Sequence, residues 1–195
     1  MLVSPAVIDS IAERLSDSNK SVRLYAASSL GVLRGRLAIP QMIKAMKTGS
    51  PRLRLQILQS FYKIRDRSVD EEILVYLFDP NKAVRNEAIL TLGLFKSEKA
   101  LPKLEAIYNR NSKNKLQKKA LEAISLIGDV KSLELFRGNL TNEDSKYRQY
   151  AGEGIARIAS VDTSSVEDVS RAFLSEKNTE TQLSFSFALF RLGRP

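Results

Sequence analysis

With 195 residues, 43% of them hydrophobic, and a formal net charge of +9, the chain has the composition of a folded, basic protein. It contains no Cys, His or Trp, which removes thiolate nucleophiles, disulfides, imidazole bases and soft metal ligands, and leaves only oxygen ligands for a hard cation. No apolar run approaches the roughly 18–20 residues that cross a bilayer, and Asp9 and Glu13 interrupt the opening segment, so the chain reads as a soluble, cytoplasmic protein with no membrane insertion and no cofactor.

In chain order, the first signal is a repeat. Ile11, Met42, Ile73, Leu104, Leu135 and Val166 follow one another at intervals of 31 residues. Each lies in a segment whose apolar residues recur three and four apart, as in IPQMIKAM (39–46), LPKLEAIY (101–108) and VEDVSRAF (166–173), and these segments are predicted first helices. A second helical stripe follows each of the first five: Val22-Ala26-Leu30-Leu33, Leu53-Ile57-Phe61-Ile64, Val84-Ala88-Leu92-Phe95, Leu116-Ala120-Ile124-Ile127 and Tyr147-Ala151-Ile155-Ile158. The fourth repeat carries one extra residue in its inner turn, and the sixth, around Phe185-Leu189-Leu192, carries about three. The reading is a single domain, 1–195, of repeats at 4–34, 36–65, 68–96, 98–128, 129–160 and 164–193, with twelve helices of about 10–16 residues.

Turn chemistry supports this division. Asp17, Asp79 and Asn111 stand five residues ahead of a second stripe, where a short oxygen-bearing side chain caps helix amides. Pro51 and Pro80 follow at the same boundary, while Pro5, Pro40 and Pro102 fall in the first turn of first helices, where a missing amide costs nothing. No segment alternates with period two between hairpin turns.

The stretch LFDPNKAVRNEAILTLGLFKSEKALPKLEAIY (77–108) resembles the short HEAT-like repeats first associated with phycobilin lyases, and LSDSNKSVRLYAASSLGVLRGRLAIPQMIKAM (15–46) repeats its frame. The shared elements are an aspartate, Val-Arg, small residues, Leu-Gly, and Leu/Ile-Pro before the next helix. The resemblance implies an all-α, right-handed α-solenoid of about six helix pairs, with first helices convex and second helices lining a concave face. Such repeats occur in lyase subunits, hydroxylases, relatives of DNA glycosylases and many scaffolds, so function has to be read from residues. A di-iron hydroxylase on this frame requires His, which is absent, and glycosylase relatives use Trp, also absent.

Arg23, Arg54, Arg85 and Arg148 hold one position in successive second helices, with Gln117 in that place in the fourth repeat. They form either a ladder that clamps carboxylates or phosphates, or a set of staples that pair with turn residues, such as Asp17 with Arg23 and Asp79 with Arg85. Between Ser18 and Arg65 there is no acidic residue against ten basic ones: Lys20, Arg23, Arg34, Arg36, Lys44, Lys47, Arg52, Arg54, Lys63 and Arg65. A second cluster runs Lys96, Lys99, Lys103, Arg110, Lys113, Lys115, Lys118 and Lys119. Such a field attracts acidic protein or nucleic-acid backbone, and also serves plain solubility.

Helical geometry places Leu24, Leu55, Asn86, Lys118 and Gln149 opposite the core stripe, with Ser28, Gln59, Leu90, Glu122 and Glu153 beside them. This mixed row suits protein recognition, unless neighbouring helices cover its leucines. Gly31, Gly93 and Gly128 are isolated, as packing or termination requires, and Asp70-Glu71-Glu72 and Glu143-Asp144 fall at helix starts. The resulting expectation is a non-catalytic protein-binding scaffold using Leu24, Arg54, Leu55, Gln59, Asn86, Leu90, Lys118 and Gln149, with an acidic protein as partner. The alternatives are a binder of nucleic-acid backbone and a lyase or chaperone-like subunit acting on a bilin-carrying protein. Phe185, Phe187, Phe190 and Leu192 on the last helix point either to a fragment of a longer repeat protein or to self-association there.

Overall fold

A computed structural model describes residues 4–110 and 116–193. Among them are twelve α-helices: α1 (Pro5–Glu13), α2 (Lys20–Val32), α3 (Ile39–Thr48), α4 (Pro51–Ile64), α5 (Asp70–Leu74), α6 (Lys82–Leu94), α7 (Leu101–Asn109), α8 (Leu116–Ile127), α9 (Leu133–Asn139), α10 (Ser145–Ile158), α11 (Val166–Ser175) and α12 (Thr179–Arg191). The described residues contain no strand, and the fold class is an α-solenoid of helix pairs. The chain divides into two compact units, Met1–Phe95 and Lys96–Pro195. In the first, each of α1, α3 and α5 packs on the helix that follows it, and α4 packs on both α2 and α6. In the second, α7, α9 and α11 pack likewise, and α10 lies against both α8 and α12.

The second-helix stripes form most of the core, although Val22, Leu33, Leu116 and Tyr147 at their ends are only half-buried. Ile57, Val84, Ala88, Leu92, Ala120, Ile124, Ala151 and Ile155 are wholly buried, each large aliphatic contributing about 1.5–3 kcal/mol. The first-helix register needs correction beyond Leu104. Leu135 and Val166 are only half-buried, and Phe136 and Val169 occupy the core instead. The extra residue of the fourth repeat moves the core position from Leu135 to Phe136, and two further residues ahead of the sixth move it to Val169; one residue turns a helix by about 100°. Ile11 is also half-buried, because Ile8, Ala12 and Leu15 supply the core face of the first repeat.

Several first helices are shorter than expected: α5 has 5 residues and α9 has 7. Helix α1 finishes in a tighter 3-10 turn at Arg14–Ser16, and α5 does so at Val75–Phe78. In the third repeat, Pro80 excludes Asp79 from helical backbone, and Asp79 adopts the extended φ −54°, ψ 138°.

The capping residues are also reassigned. Asn19 and Asn81, not Asp17 and Asp79, are the N-caps of α2 and α6, with side chains that accept from the amides of Ser21 and of Ala83 and Val84. Asp17 and Asp79 stand two residues earlier and accept from the amides of Asn19 and Asn81, both at 2.8 Å. Ser50, Asp144 and Asn178 cap α4, α10 and α12. Asn111, expected to cap in the fourth repeat, lies outside the described residues. Pro5, Pro40 and Pro102 occupy first turns as expected, and Pro51 opens α4.

Several second helices bury a small residue at their closest packing points. Ser60, Thr91, Ala123 and Ala188 are buried, as is Gly154, where a Cβ would stand 2.5 Å from the Phe136 ring of α9. Gly31 serves packing, since a Cβ there would meet Ser60 at 2.7 Å, whereas Gly128 serves termination at φ 66°. Arg34, Arg65 and Lys96 take the same left-handed conformation at earlier helix ends. After α2, the Arg34 amide donates to Gly31 O and the Gly35 amide to Leu30 O, completing a Schellman pair.

Candidate functional site

The arginine ladder resolves into staples. Arg23 Nη1 donates to the Asp17 and Ser18 carbonyls, Arg54 Nη1 to Gly49 O at 2.7 Å, and Arg85 Nη1 to Asp79 O and Pro80 O at 2.7 and 2.9 Å. Arg148 Nη1 donates to Asn142 O and Glu143 O at 2.7 and 2.9 Å, and Gln117 Nε2 to Tyr108 O and Arg110 O, both at 2.9 Å. The expected side-chain pairs Asp17–Arg23 and Asp79–Arg85 are therefore corrected: within its own repeat the arginine takes backbone carbonyls, because the aspartate is turned toward the cap amides. The ionic partner comes from the next repeat. Arg54 Nε lies 2.7 Å from Asp79 Oδ2, and Arg148 forms a fork with Glu176 at 2.6 and 2.8 Å.

On the opposite side of α2 and α4 is a groove of about 280 Å³ lined by Ser21, Leu24, Tyr25, Ser28, Arg52, Leu55, Gln56 and Gln59. It brings together three of the sequence-selected residues, Leu24, Leu55 and Gln59. Neither leucine is fully covered: both are half-buried on the groove floor, and Tyr25 stands 74% exposed at its edge. Gln59 also hydrogen-bonds Glu87 of α6, whose carboxyl is pushed up by burial and drawn partly back by that bond. Asn86 and Leu90 lie half-buried on α6 in the same unit, and Asn86 Oδ1 has no hydrogen-bond partner among the described residues. Arg54 lies outside the groove, engaged by Asp79.

Lys118 and Gln149 belong to the second unit and are held in local networks. Lys118 pairs with Asp144 and sits over the Tyr147 ring, 5.7 Å from its centroid. Gln149 donates to Glu153 and accepts from Lys146, both at 2.9 Å. Beside them, burial and the charges of Glu122 and Glu153 push Tyr150 up to about 12. This surface is polar and internally paired, unlike the groove of the first unit.

Sequence reasoning missed Ser21, Tyr25, Arg52 and Gln56. Their signal was present, since Ser21-Leu24-Tyr25-Ser28 and Arg52-Leu55-Gln56-Gln59 match position by position at intervals of 31 residues. It also stopped short of Leu183, which with the already selected Phe187 extends the rows into α12; the two are 72% and 51% exposed. Among the ten basic residues of the acid-free stretch, Arg36 pairs with Asp66 at 3.8 Å and Lys47 with Glu72 at 3.3 Å. Lys113 and Lys115 of the second cluster lie outside the described residues. No group of three or more acidic residues among the described residues is placed to hold a metal, and no helix there is long and apolar enough to cross a membrane.

A family model for HEAT repeats matches residues 71–156. No curated protein matches the chain in sequence. Solved structures share its fold. A designed armadillo repeat protein in complex with the peptide (KR)4 is 16% identical, with 95% of this chain and 99% of that chain covered and a TM-score of 0.69. The complex of CpcE and CpcF of phycocyanin lyase from Nostoc sp. PCC7120 is 20% identical, with 93% and 74% covered and a TM-score of 0.64. The archaeal HEAT-like repeats protein from Thermococcus onnurineus NA1 is 14% identical, with 97% and 88% covered and a TM-score of 0.65.

Proposed function

This chain is a HEAT-repeat protein, and on that premise we propose that it is a non-catalytic scaffold that binds a protein segment on the second-helix face of its first unit. The observation that carries this reading is the α2–α4 groove. Two leucines form its floor, amide and hydroxyl groups form its walls, and Tyr25 and Arg52 stand exposed at its rim. Aromatic and arginine side chains around an apolar centre are the composition of a recognition surface. The surrounding stretch free of acidic residues favours an acidic partner. Peptide binding by the designed armadillo repeat protein is compatible with this use of the fold. Self-association through α12 belongs to the same proposal, because Leu183, Phe187 and Phe190 share its exposed side.

The test is photocrosslinking in the native cell. A crosslinker at Tyr25 or Gln56 is expected to capture a protein, and the same group at Lys103 on a first helix is not. Leu55→Asp should abolish the adduct. Equal capture at all three positions overturns the groove. Nucleic acid recovered in its place, with binding that falls steeply as salt rises, supports the backbone-binding alternative. Visible absorbance on mixing with a bilin-carrying protein supports the lyase-subunit alternative suggested by the phycocyanin lyase likeness.

A further inference from the structure

The staples differ in one respect from repeat to repeat. Arg54 and Arg148 each present their outer guanidinium edge to a carboxylate from the following repeat, Asp79 and Glu176, whose side chains are only 4% and 2% exposed. Both carboxylates also accept backbone amides of the turn that bears them, from Asn81 at 2.8 Å and from Asn178 at 2.8 Å. The residue that leaves the first helix in extended backbone is Asp79 in the third repeat and Glu176 in the sixth, but Gly49 in the second, at φ −76°, ψ 160°. The turn facing Arg23 is Thr48-Gly49-Ser50 and offers no carboxylate.

Arg23 accordingly meets no acidic side chain within 4.0 Å among the described residues, and its two hydrogen bonds both use Nη1. Beside it is a cavity of about 600 Å³ lined by Asp9, Glu13, Arg23, Lys44, Thr48 and Ser50, with Leu15, Ala45 and Leu53 among its apolar walls. Around Arg148, with Glu176 in place, the corresponding space is divided into two clefts of about 340 and 330 Å³, one bounded by Leu140, Arg148 and Glu176 and the other by Arg137, Asp168 and Arg171.

We propose that this cavity is a receptor for a carboxylate supplied in trans, an Asp or Glu side chain on a partner segment, seated on the outer edge of Arg23 as Glu176 is on Arg148. Lys44 on α3 adds to the attraction, whereas Asp9 and Glu13 on α1 repel a second negative charge and attract a cation. The pocket therefore selects an acidic residue flanked by basic ones over a polyanion such as nucleic-acid backbone. This site lies apart from the α2–α4 groove and stands or falls independently of it.

The test uses fluorescence polarisation with a labelled alternating peptide, (Glu-Lys)6, and its neutralised counterpart (Gln-Lys)6. Arg23→Gln is the informative variant. Gln117 and Gln182 already staple carbonyls at the corresponding positions, so the variant keeps the fold and loses only the ionic edge. An unchanged melting temperature checks this. The expected result is binding of (Glu-Lys)6 that weakens at least tenfold in Arg23→Gln, is unaffected by Lys63→Gln, an exposed cation outside both the cavity and the groove, and is absent for (Gln-Lys)6. Equal binding by wild type and Arg23→Gln overturns the proposal. So does competition by free citrate as strong as that of the peptide, which assigns the cavity to a small carboxylate, or stronger binding of an octaglutamate or an oligonucleotide.

Discussion

At Glu176 a single carboxylate is held by the Arg148 fork and by the amides of Lys177 and Asn178 at 2.9 and 2.8 Å. Arg148, acting first through these hydrogen bonds, brings it from the ordinary 4.5 down to about 2. A depressed carboxylate stabilises the fold fully above its unfolded pKa and loses that contribution as pH falls through the folded one. The wild-type melting temperature should therefore drop between pH 4.5 and 2. Glu176→Gln should be less stable at neutral pH and nearly indistinguishable near pH 2, as thermal melts across that range would show. Arg148→Ala leaves the carboxylate buried without its cation and is expected to cost about 3 kcal/mol. At Gly154 the constraint is steric. Its missing Cβ lies 2.5 Å from a fully buried phenylalanine, so Gly154→Ala should destabilise by about 1–3 kcal/mol in denaturant unfolding.

Helix ends show where the repeat frame stores strain. Arg34, Arg65 and Lys96 adopt φ of 51°, 58° and 52°, a conformation that costs an ordinary L-residue about 1 kcal/mol or more, while their positive charge favours the carboxyl end of a helix. Arg65→Gly is expected to melt no lower than wild type, because relief of the Cβ contact offsets the lost charge. Arg65→Val, β-branched and neutral, should melt lower, and calorimetry on both variants separates conformation from charge. These positions recur every 31 residues yet escape a sequence reading, since arginine carries no propensity for left-handed backbone. The second-helix stripes were legible because a buried face imposes its period on residue type. Cap identity was not, because Asp17 and Asn19 both carry a side chain able to cap and only the backbone decides which one opens the helix. The frame after Leu104 was lost to inserted residues, one before Phe136 and two more before Val169. Half of the groove was legible from Leu24, Ser28, Leu55 and Gln59, while Tyr25 and Arg52 required knowing which neighbour of the core-opposed position turns toward the next helix.

Across the molecule, exposed large apolar residues are mostly scattered singly, from Val7 to Leu174, but α12 gathers three. On α12, Leu183, Phe187 and Phe190 are 72%, 51% and 66% exposed, and their offsets of four and three place them on one side. Phe185 and Ala188, turned the other way, are completely buried. A row of large apolar residues in water is stabilised by any contact that covers it, and a second copy of the chain is always available at high concentration. Sedimentation velocity should show wild type moving to larger species as concentration rises, and Phe187→Lys combined with Phe190→Lys remaining monomeric at every concentration. Ionic strength separates this contact from the basic surface of the first unit. Burial of phenylalanine persists or strengthens in high salt, whereas binding that depends on Arg23, Lys44 or Arg52 weakens as charges are screened over about 3 Å at molar salt. Association that vanishes with added salt would place the contact on the charged face instead, and a wild-type chain that stays monomeric throughout would remove α12 from the interaction surfaces altogether.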